Sequence, residues 1–290
     1  MWVSDKWNDY ELLDCSGGER LERWGAYTLV RPDPQVIWNT PRKNPGWKNY
    51  DARYIRSSSG GGNWDKRKLP ENWEVSYGKL KFNIKPMNFK HTGLFPEQAV
   101  NWDYVQSIIK NSGREISVLN LFAYTGAATL ACAAAGASVC HVDAARGMVA
   151  QARENARLSG LEKAPVRWIV DDCAAFIERE IRRGRRYDAV IMDPPSYGRG
   201  PTGQTWKLEE NLYPFIELVS GVLSASPLFV LINSYTSGLS ALVLRYMLSA
   251  VIEPRFAGKS EAQELSLPVK DSGFFLPCGA SGRWTGSGIQ

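Results

Sequence analysis

From about Asn101 to Ile252, short apolar runs alternate with longer amphipathic stretches. Ile116–Phe122, Ser138–Asp143, Val166–Asp172, Tyr187–Asp193 and Leu228–Ser234 are compact runs bounded by turn residues, the pattern of strands buried in a parallel sheet. Between and after them, Ala127–Ala135, Arg146–Leu158, Ala174–Arg182, Glu209–Leu223 and Ser240–Ile252 carry helical spacing, and Trp102–Lys110 precedes the first strand as a further helix. Within Arg146–Leu158, Met148, Ala152 and Ala156 share one face. Right-handed crossovers stack such units into one sheet with helices on both faces. Glu264–Val269 and Phe274–Cys278 flank Lys270-Asp271-Ser272-Gly273 and read as a closing hairpin. The predicted class is α/β, with a mostly parallel sheet and a terminal antiparallel hairpin.

The amino-terminal part follows a different pattern. Its apolar runs are short and broken by turn residues: Tyr10–Cys15 and Ala26–Val30 read as strands, Ser16-Gly17-Gly18 as a turn, and Arg31–Pro34 and Pro41–Pro45 as loop. Ser57–Gly62 reads as a flexible Ser/Gly linker and Tyr77–Pro86 as a hairpin or strand. The predicted organisation is a small β-rich accessory domain over residues 1–76, a hairpin and linker over 77–100, and the α/β domain over 101–290.

Composition adds limits. The chain of 290 residues suits one large domain, or one domain plus a smaller one. No apolar run reaches the ~18 residues of a membrane span. Residues 1–30 hold no apolar signal core, and the five cysteines (Cys15, Cys132, Cys140, Cys173, Cys278) form no CxxC pair. These features predict no membrane partner, no metal site, reduced thiols that are mostly small buried hydrophobes, and a cytoplasmic protein. The net charge of +5 is uneven: residues 42–90 hold twelve Lys/Arg against four acids, residues 1–41 four against seven, and residues 91–290 nineteen of each. Trp47, Tyr50, Tyr54, Trp64, Trp73 and Tyr77 are interleaved with the basic residues. Cations neutralise phosphates and aromatic faces stack on unpaired bases, so segment 42–90 is predicted to meet RNA. The alternative is a solvated basic face whose aromatics point into a small β core.

Three predicted strands end in aspartate: Asp143, Asp172 and Asp193. The first strand runs Val118-Leu119-Asn120-Leu121-Phe122-Ala123-Tyr124-Thr125-Gly126, a tight glycine turn that opens an alanine-rich helix. Carboxylates along the carboxyl edge of a parallel sheet lie where an open α/β fold binds its ligand. No G-x-G-x-x-G fingerprint is present, which argues against a dinucleotide. Asp193 opens Asp193-Pro194-Pro195-Ser196-Tyr197, where two prolines stiffen the backbone and remove donors. Plainer roles stay open: a helix cap for Asp143 and a rigid capped loop for Asp193–Pro195. Asp171 rivals Asp172, because alternation places only one of them on the ligand side.

Together the Phe122–Gly126 turn, the aspartate-ended strands and Asp193-Pro194-Pro195 resemble the binding site and active loop of class I S-adenosylmethionine (AdoMet) methyltransferases. His91-Thr92-Gly93-Leu94-Phe95-Pro96-Glu97-Gln98 further resembles the KTGFFLDQR segment of the large-subunit ribosomal RNA methyltransferase family, and Asp193–Tyr197 its DPPxF motif. Thr92, Gly93, Phe95 and Gln98 match, Glu97 stands for Asp, and His91 and Ala99 replace the usual Lys and Arg. The resemblance spans residues 77–290; the segment before it does not match the RNA-binding PUA domain of many members. It implies a Rossmann-like class I fold with S-adenosyl-L-methionine as cofactor. The cofactor contacts it implies are Phe95, Gln98, Phe122, Ala123, Tyr124, Thr125, Gly126, Asp143, Asp172 and Asp193. Asp143 would take the ribose hydroxyls and Asp172 the adenine amine, with the glycine turn near the methionine portion. Asp193, Pro194, Pro195 and Tyr197 would form the catalytic loop.

Members that methylate carbon 5 of cytosine carry a cysteine after the DPP strand or the strand that follows. Here neither Asp193–Leu208 nor Asn233-Ser234-Tyr235-Thr236 contains one. The expected acceptor is therefore a base nitrogen in RNA, ribosomal RNA first. Arg199, Trp206 and Lys207 would form a lid over a flipped base, or else belong to an exposed loop. A protein or small-molecule acceptor, and a non-catalytic AdoMet-fold RNA-binding protein, are the rival readings.

Overall fold

The apolar runs after Asn101 lie side by side in one sheet in the computed structural model, which describes residues 1–57, 61–87, 90–199, 205–236 and 238–287. Its strands are β1 (Ser117–Leu121), β2 (Ser138–Asp143), β3 (Val166–Val170), β4 (Ala189–Met192), β5 (Phe229–Ser234), β6 (Gly258–Pro268) and β7 (Phe275–Gly286), in the order β6-β7-β5-β4-β1-β2-β3, with the short strand Trp2–Val3 beside β6 as the eighth. The first five pair in parallel and β7 runs antiparallel to β5. Helices α1 (Ala99–Asn111), α2 (Ala127–Ala134), α3 (Arg146–Leu158), α4 (Cys173–Arg182), α5 (Leu208–Ser220) and α6 (Ala241–Val251) make the connections.

The chain winds outward from β1 through β2 and β3, then returns to build β4 and β5 on the other side. The strand order thus reverses between β1 and β4, the place where open α/β sheets bind ligands. Register gathers the strand ends there: Leu121 pairs with both Val142 and Met192, and Met192 with Ile232. The residues that follow this row are Phe122, Asp143, Asp193 and Asn233. β4 and β5 are buried throughout. Leu119, Leu121, Val190, Met192, Phe215, Ile216 and Ile232 form the core between sheet and helices. Each such side chain contributes about 1.5–3 kcal/mol on burial. The predicted elements are present with small shifts. The main differences are that β3 and β4 stop before Asp172 and Asp193, which sit in the loops, and that the closing hairpin is longer than expected.

The chain divides into two compact units, Met1–Val100 with Leu265–Cys278, and Asn101–Glu264 with Gly279–Gln290. The expected boundaries at residues 76 and 100 did not include the 265–278 segment in the first unit. That unit holds a five-stranded sheet, ordered Tyr10–Ser16, Glu19–Trp24, Tyr27–Pro32, Ala52–Arg56 and Gly62–Lys66, and a hairpin of Trp73–Tyr77 with Leu80–Ile84. Glu19–Trp24 has no strand signature in the sequence because two of its four buried residues, Arg20 and Glu22, are charged. Glu22 is fully buried, receives Arg31 through Nε at 2.6 Å and Nη2 at 2.8 Å, and accepts from the Tyr10 hydroxyl at 2.8 Å. The Arg20 guanidinium lies 3.5 Å from Glu22 and 3.7 Å from Asp33. Although burial alone would raise it, these cations hold the Glu22 carboxyl down at about 2.

The aromatic residues of segment 42–90 mostly serve this core. Trp47, Tyr54 and Tyr77 are buried, and the half-buried Trp64 and Trp73 spend their indole N–H groups on the Met87 and Trp24 carbonyls. The interleaved aromatics thus fit the inward alternative, while Lys66, Arg67 and Lys68 are exposed. Of the expected Ser57–Gly62 linker, residues 58–60 lie outside the described residues, and Gly62 opens a strand. Among the described residues no helix is long and apolar enough to cross a membrane.

Candidate active site

The turn after β1 is built under strain. Phe122 and Tyr124 hold φ of 52° and 50°, values costly for bulky side chains. Neighbouring groups compensate. The Phe122 N–H donates to the Cys173 sulfur at 3.3 Å, Ala123 N–H to the Val142 carbonyl at 3.1 Å and Gly126 N–H to the Ala123 carbonyl at 3.0 Å. From α3, the buried Asn155 amide donates to the Thr125 carbonyl at 2.9 Å. Gly126 caps α2 at φ 85°, and a Cβ there would sit 2.8 Å from the Ala152 Cβ. Glycine is required both by the left-handed backbone and by the approach of α2 to α3.

Asp143, at the end of β2, closes the turn. Its Oδ2 accepts from the Tyr124 N–H and its Oδ1 from the Ala145 N–H, both at 2.8 Å. Burial raises its pKa, and the two backbone donors pull the other way. The helix cap itself is Ala145, so Asp143 is not the N-cap. Asp172 is one: its Oδ1 accepts from Ala175 N–H at 2.9 Å and starts α4. Asp171 is held by the Arg179 guanidinium and by the Asp172 N–H. That ion pair leaves Asp172 as the more available of the two carboxylates.

Asp193-Pro194-Pro195 follows β4 directly. Asp193 is half-buried beside β1, its N–H 3.4 Å from the Leu121 carbonyl. Pro195, Ser196 and Tyr197 are exposed. Tyr197–Arg199 pairs antiparallel with Thr205–Lys207, placing Tyr197 opposite Lys207. The Arg199 side chain and residues 200–204 of the expected lid lie outside the described residues. Lys207 pairs with Glu210 at 2.8 Å on the surface.

Trp206 is not an open lid residue. Its indole N–H donates to the Pro195 carbonyl at 2.6 Å, and its ring packs 5.3 Å from that of Phe122 and 5.4 Å from that of Phe215. A second link, Thr236 hydroxyl to Ser196 hydroxyl at 2.6 Å, ties the loop after β5 to the loop after β4. Neither bond had a signature in sequence. Phe95 and Gln98 belong to the first unit, at the short helical turn Pro96–Gln98, where Gln98 is buried; the resemblance alone assigns them to a cofactor. Among the described residues no group of three His, Cys, Asp or Glu side chains could hold a metal ion.

The acceptor set around β2 suits AdoMet. A ribose presents two neighbouring hydroxyls, and each Asp143 oxygen, holding one backbone N–H, keeps a further lone pair for one of them. Asp172 retains an oxygen with no hydrogen bond among the described residues, a match for an adenine amine. Asp143→Ala should therefore weaken AdoMet binding by roughly tenfold to a hundredfold, the effect of losing a charged acceptor. Calorimetry on the folded variant checks this; unchanged affinity would remove Asp143 from the cofactor site.

Comparisons with known proteins agree with the geometry. The family model described as S-adenosylmethionine-dependent methyltransferase matches residues 46–243. A crystal structure of a SAM-dependent methyltransferase from Agrobacterium tumefaciens is 36% identical, with a TM-score of 0.92, over 98% of this chain and 92% of that one. A ribosomal RNA large subunit methyltransferase K/L of Pseudoalteromonas atlantica is 34% identical over 140 residues, which is 48% of this chain and 19% of that protein. Its counterpart from Methylococcus capsulatus is 28% identical over 205 residues, 70% of this chain and 25% of that protein. The chain thus spans about a fifth to a quarter of the length of these curated relatives. With the family model covering most of the sequence and a full-length structural match above it, the chain belongs to the S-adenosylmethionine-dependent methyltransferase family.

Proposed function

We propose that this chain methylates a nitrogen of an RNA base, in ribosomal RNA first, in the cytoplasm. The observation that carries the choice of atom is the state of the cysteines. Methylating carbon 5 of cytosine requires a thiolate that adds to carbon 6. All five cysteines are buried, and burial pushes every one of their thiols up, Cys15 to about 11. A base nitrogen brings its own lone pair and needs orientation, which is what a stiff Asp-Pro-Pro loop supplies. AdoMet supplies an electrophilic methyl carbon. The turn Phe122–Gly126, Asp143 and Asp172 hold the cofactor, and Asp193, Pro194, Pro195 and Tyr197 present the acceptor.

Two features support RNA as the substrate. The curated relatives are named as large-subunit ribosomal RNA methyltransferases. The first unit carries the exposed basic run Lys66-Arg67-Lys68. Nucleoside mass spectrometry of ribosomal RNA from a deletion strain tests the reading. Loss of one N-methylated nucleoside is expected; an unchanged profile overturns it.

The basic run has its own test. RNA affinity should fall steeply with salt while AdoMet affinity barely moves, because only RNA binding releases counterions. Replacing Lys66, Arg67 and Lys68 together with Glu should weaken RNA binding by at least about tenfold. Filter binding at two salt concentrations reads both effects. An unchanged affinity would make this run a solvated face.

A further inference from the structure

Trp206 touches both halves of the proposed reaction centre. On one side its ring lies 5.3 Å from that of Phe122, in the turn assigned to the cofactor. On the other its N–H closes a 2.6 Å bond to the Pro195 carbonyl in the acceptor loop. Phe215 of α5, packed edge-on at 86° and 5.4 Å, supports the indole from the core side. The loop is then closed on itself, since the Leu208 N–H donates to the Ser196 carbonyl at 3.0 Å.

Phe122 itself has little freedom to move. Its backbone is held in the left-handed region, its N–H is bound to a buried cysteine, and its ring, with those of Trp206 and Phe215, makes a triangle of mutual contacts at 5.3–5.4 Å. A ligand that settles this turn therefore settles the ring against which Trp206 packs. The 2.6 Å bond also fixes the direction of the Pro195 carbonyl, and with it the path of the acceptor loop.

From this geometry we infer that Trp206 is a positioning residue that couples the cofactor turn to the acceptor loop, setting Asp193-Pro194-Pro195 for its substrate once AdoMet is bound. The inference rests on the assignment of the Phe122–Gly126 turn to the cofactor, but not on RNA as the acceptor. Coupling of this kind travels through packed side chains and hydrogen bonds, and must be demonstrated by measuring one site while the other is filled.

The test needs no acceptor. Amide hydrogen exchange is followed at Ser196, Tyr197, Trp206 and Leu208, with and without saturating S-adenosylhomocysteine. In the wild-type protein the ligand is expected to slow exchange at these amides by about fivefold, the scale of one hydrogen bond. Trp206→Phe keeps a ring against Phe122 and Phe215 but releases the Pro195 carbonyl. It should bind the ligand within about twofold of wild type, a change of less than one hydrogen bond, and lose the slowing. Should that variant fold poorly, β-(3-benzothienyl)alanine at position 206 keeps the indole shape with sulfur in place of N–H and gives the same reading. Slowing that persists undiminished without the N–H, or no slowing in the wild-type protein, overturns the coupling. A purely structural role would instead lower ligand affinity and Tm together. Failure of the cofactor assignment shows separately, as a wild-type protein that does not bind S-adenosylhomocysteine.

Discussion

Asp193→Ala should slow methyl transfer to RNA by more than about a hundredfold at saturating AdoMet, the usual loss when a preorganised polar group at a reaction centre is removed. The residue sits where the β1 and β4 ends meet, half-buried at the start of a two-proline loop. Alanine removes the carboxylate and leaves the strand before it in place, and thermal denaturation of the variant checks that the fold is retained. Single-turnover transfer of a labelled methyl group reads the chemical step apart from product release. The control is the set of five single Cys→Ser variants, each of which should stay within about tenfold of wild type. A trapped adduct with 5-fluorocytosine-containing RNA, lost in any of the five, would overturn both the absence of a cysteine nucleophile and the nitrogen-acceptor assignment.

Glu22→Ala should be the most destabilising single change in the first unit. The carboxylate accepts from Arg31 and Tyr10 and lies against Arg20, all buried. Removing it strands two buried guanidinium groups, which costs about 3–5 kcal/mol. The pH dependence carries a sign. A carboxyl held at about 2 in the folded chain contributes stability that is complete above its ordinary value and is lost as pH falls through about 2. The wild-type protein should therefore lose stability between pH 4.5 and 2, and Glu22→Ala should lack that portion of the acid transition. Denaturant titrations of both proteins across that range check this; identical acid transitions would mean that Glu22 is not the group responsible.

The doubly wound sheet was legible because its strands obey one simple rule. β1, β4 and β5 are buried on both faces, so their sequences are apolar runs that end where the sheet ends. The Asp143 and Asp193 positions followed from the same rule. The first unit was harder to read for the opposite reason. Glu19–Trp24 buries Arg20 and Glu22 by pairing them, which looks polar in one dimension and is core in three. The closing hairpin was foreshortened because β6 begins as Gly258-Lys259-Ser260-Glu261, a polar alternation typical of a half-solvated strand. Trp206 was visible as a residue of the loop, yet its partner is a backbone carbonyl, and every residue has one. The rivalry of Asp171 and Asp172 needed the Arg179 side chain, one turn and a half into the next helix.

The segment 265–278 has a consequence for how the chain is made. Trp2 and Val3 pair with Leu265 and Ser266, Leu12 bridges to Val269, and the Lys270 and Asp271 N–H groups donate to the Leu12 and Leu13 carbonyls. Leu265, Leu267 and Leu276 are buried with them. The first hundred residues thus lack part of their own unit until residues 265–278 have been synthesised. At about 5–20 residues per second, the wait is on the order of ten seconds or more. During that time the edge formed by Tyr10–Ser16 has no partner, while the second unit can already assemble from β1 to β5. Nascent chains released before residue 265 should accordingly be the ones that chaperones hold, and a variant that weakens this late pairing would betray itself first as low yield rather than as low activity.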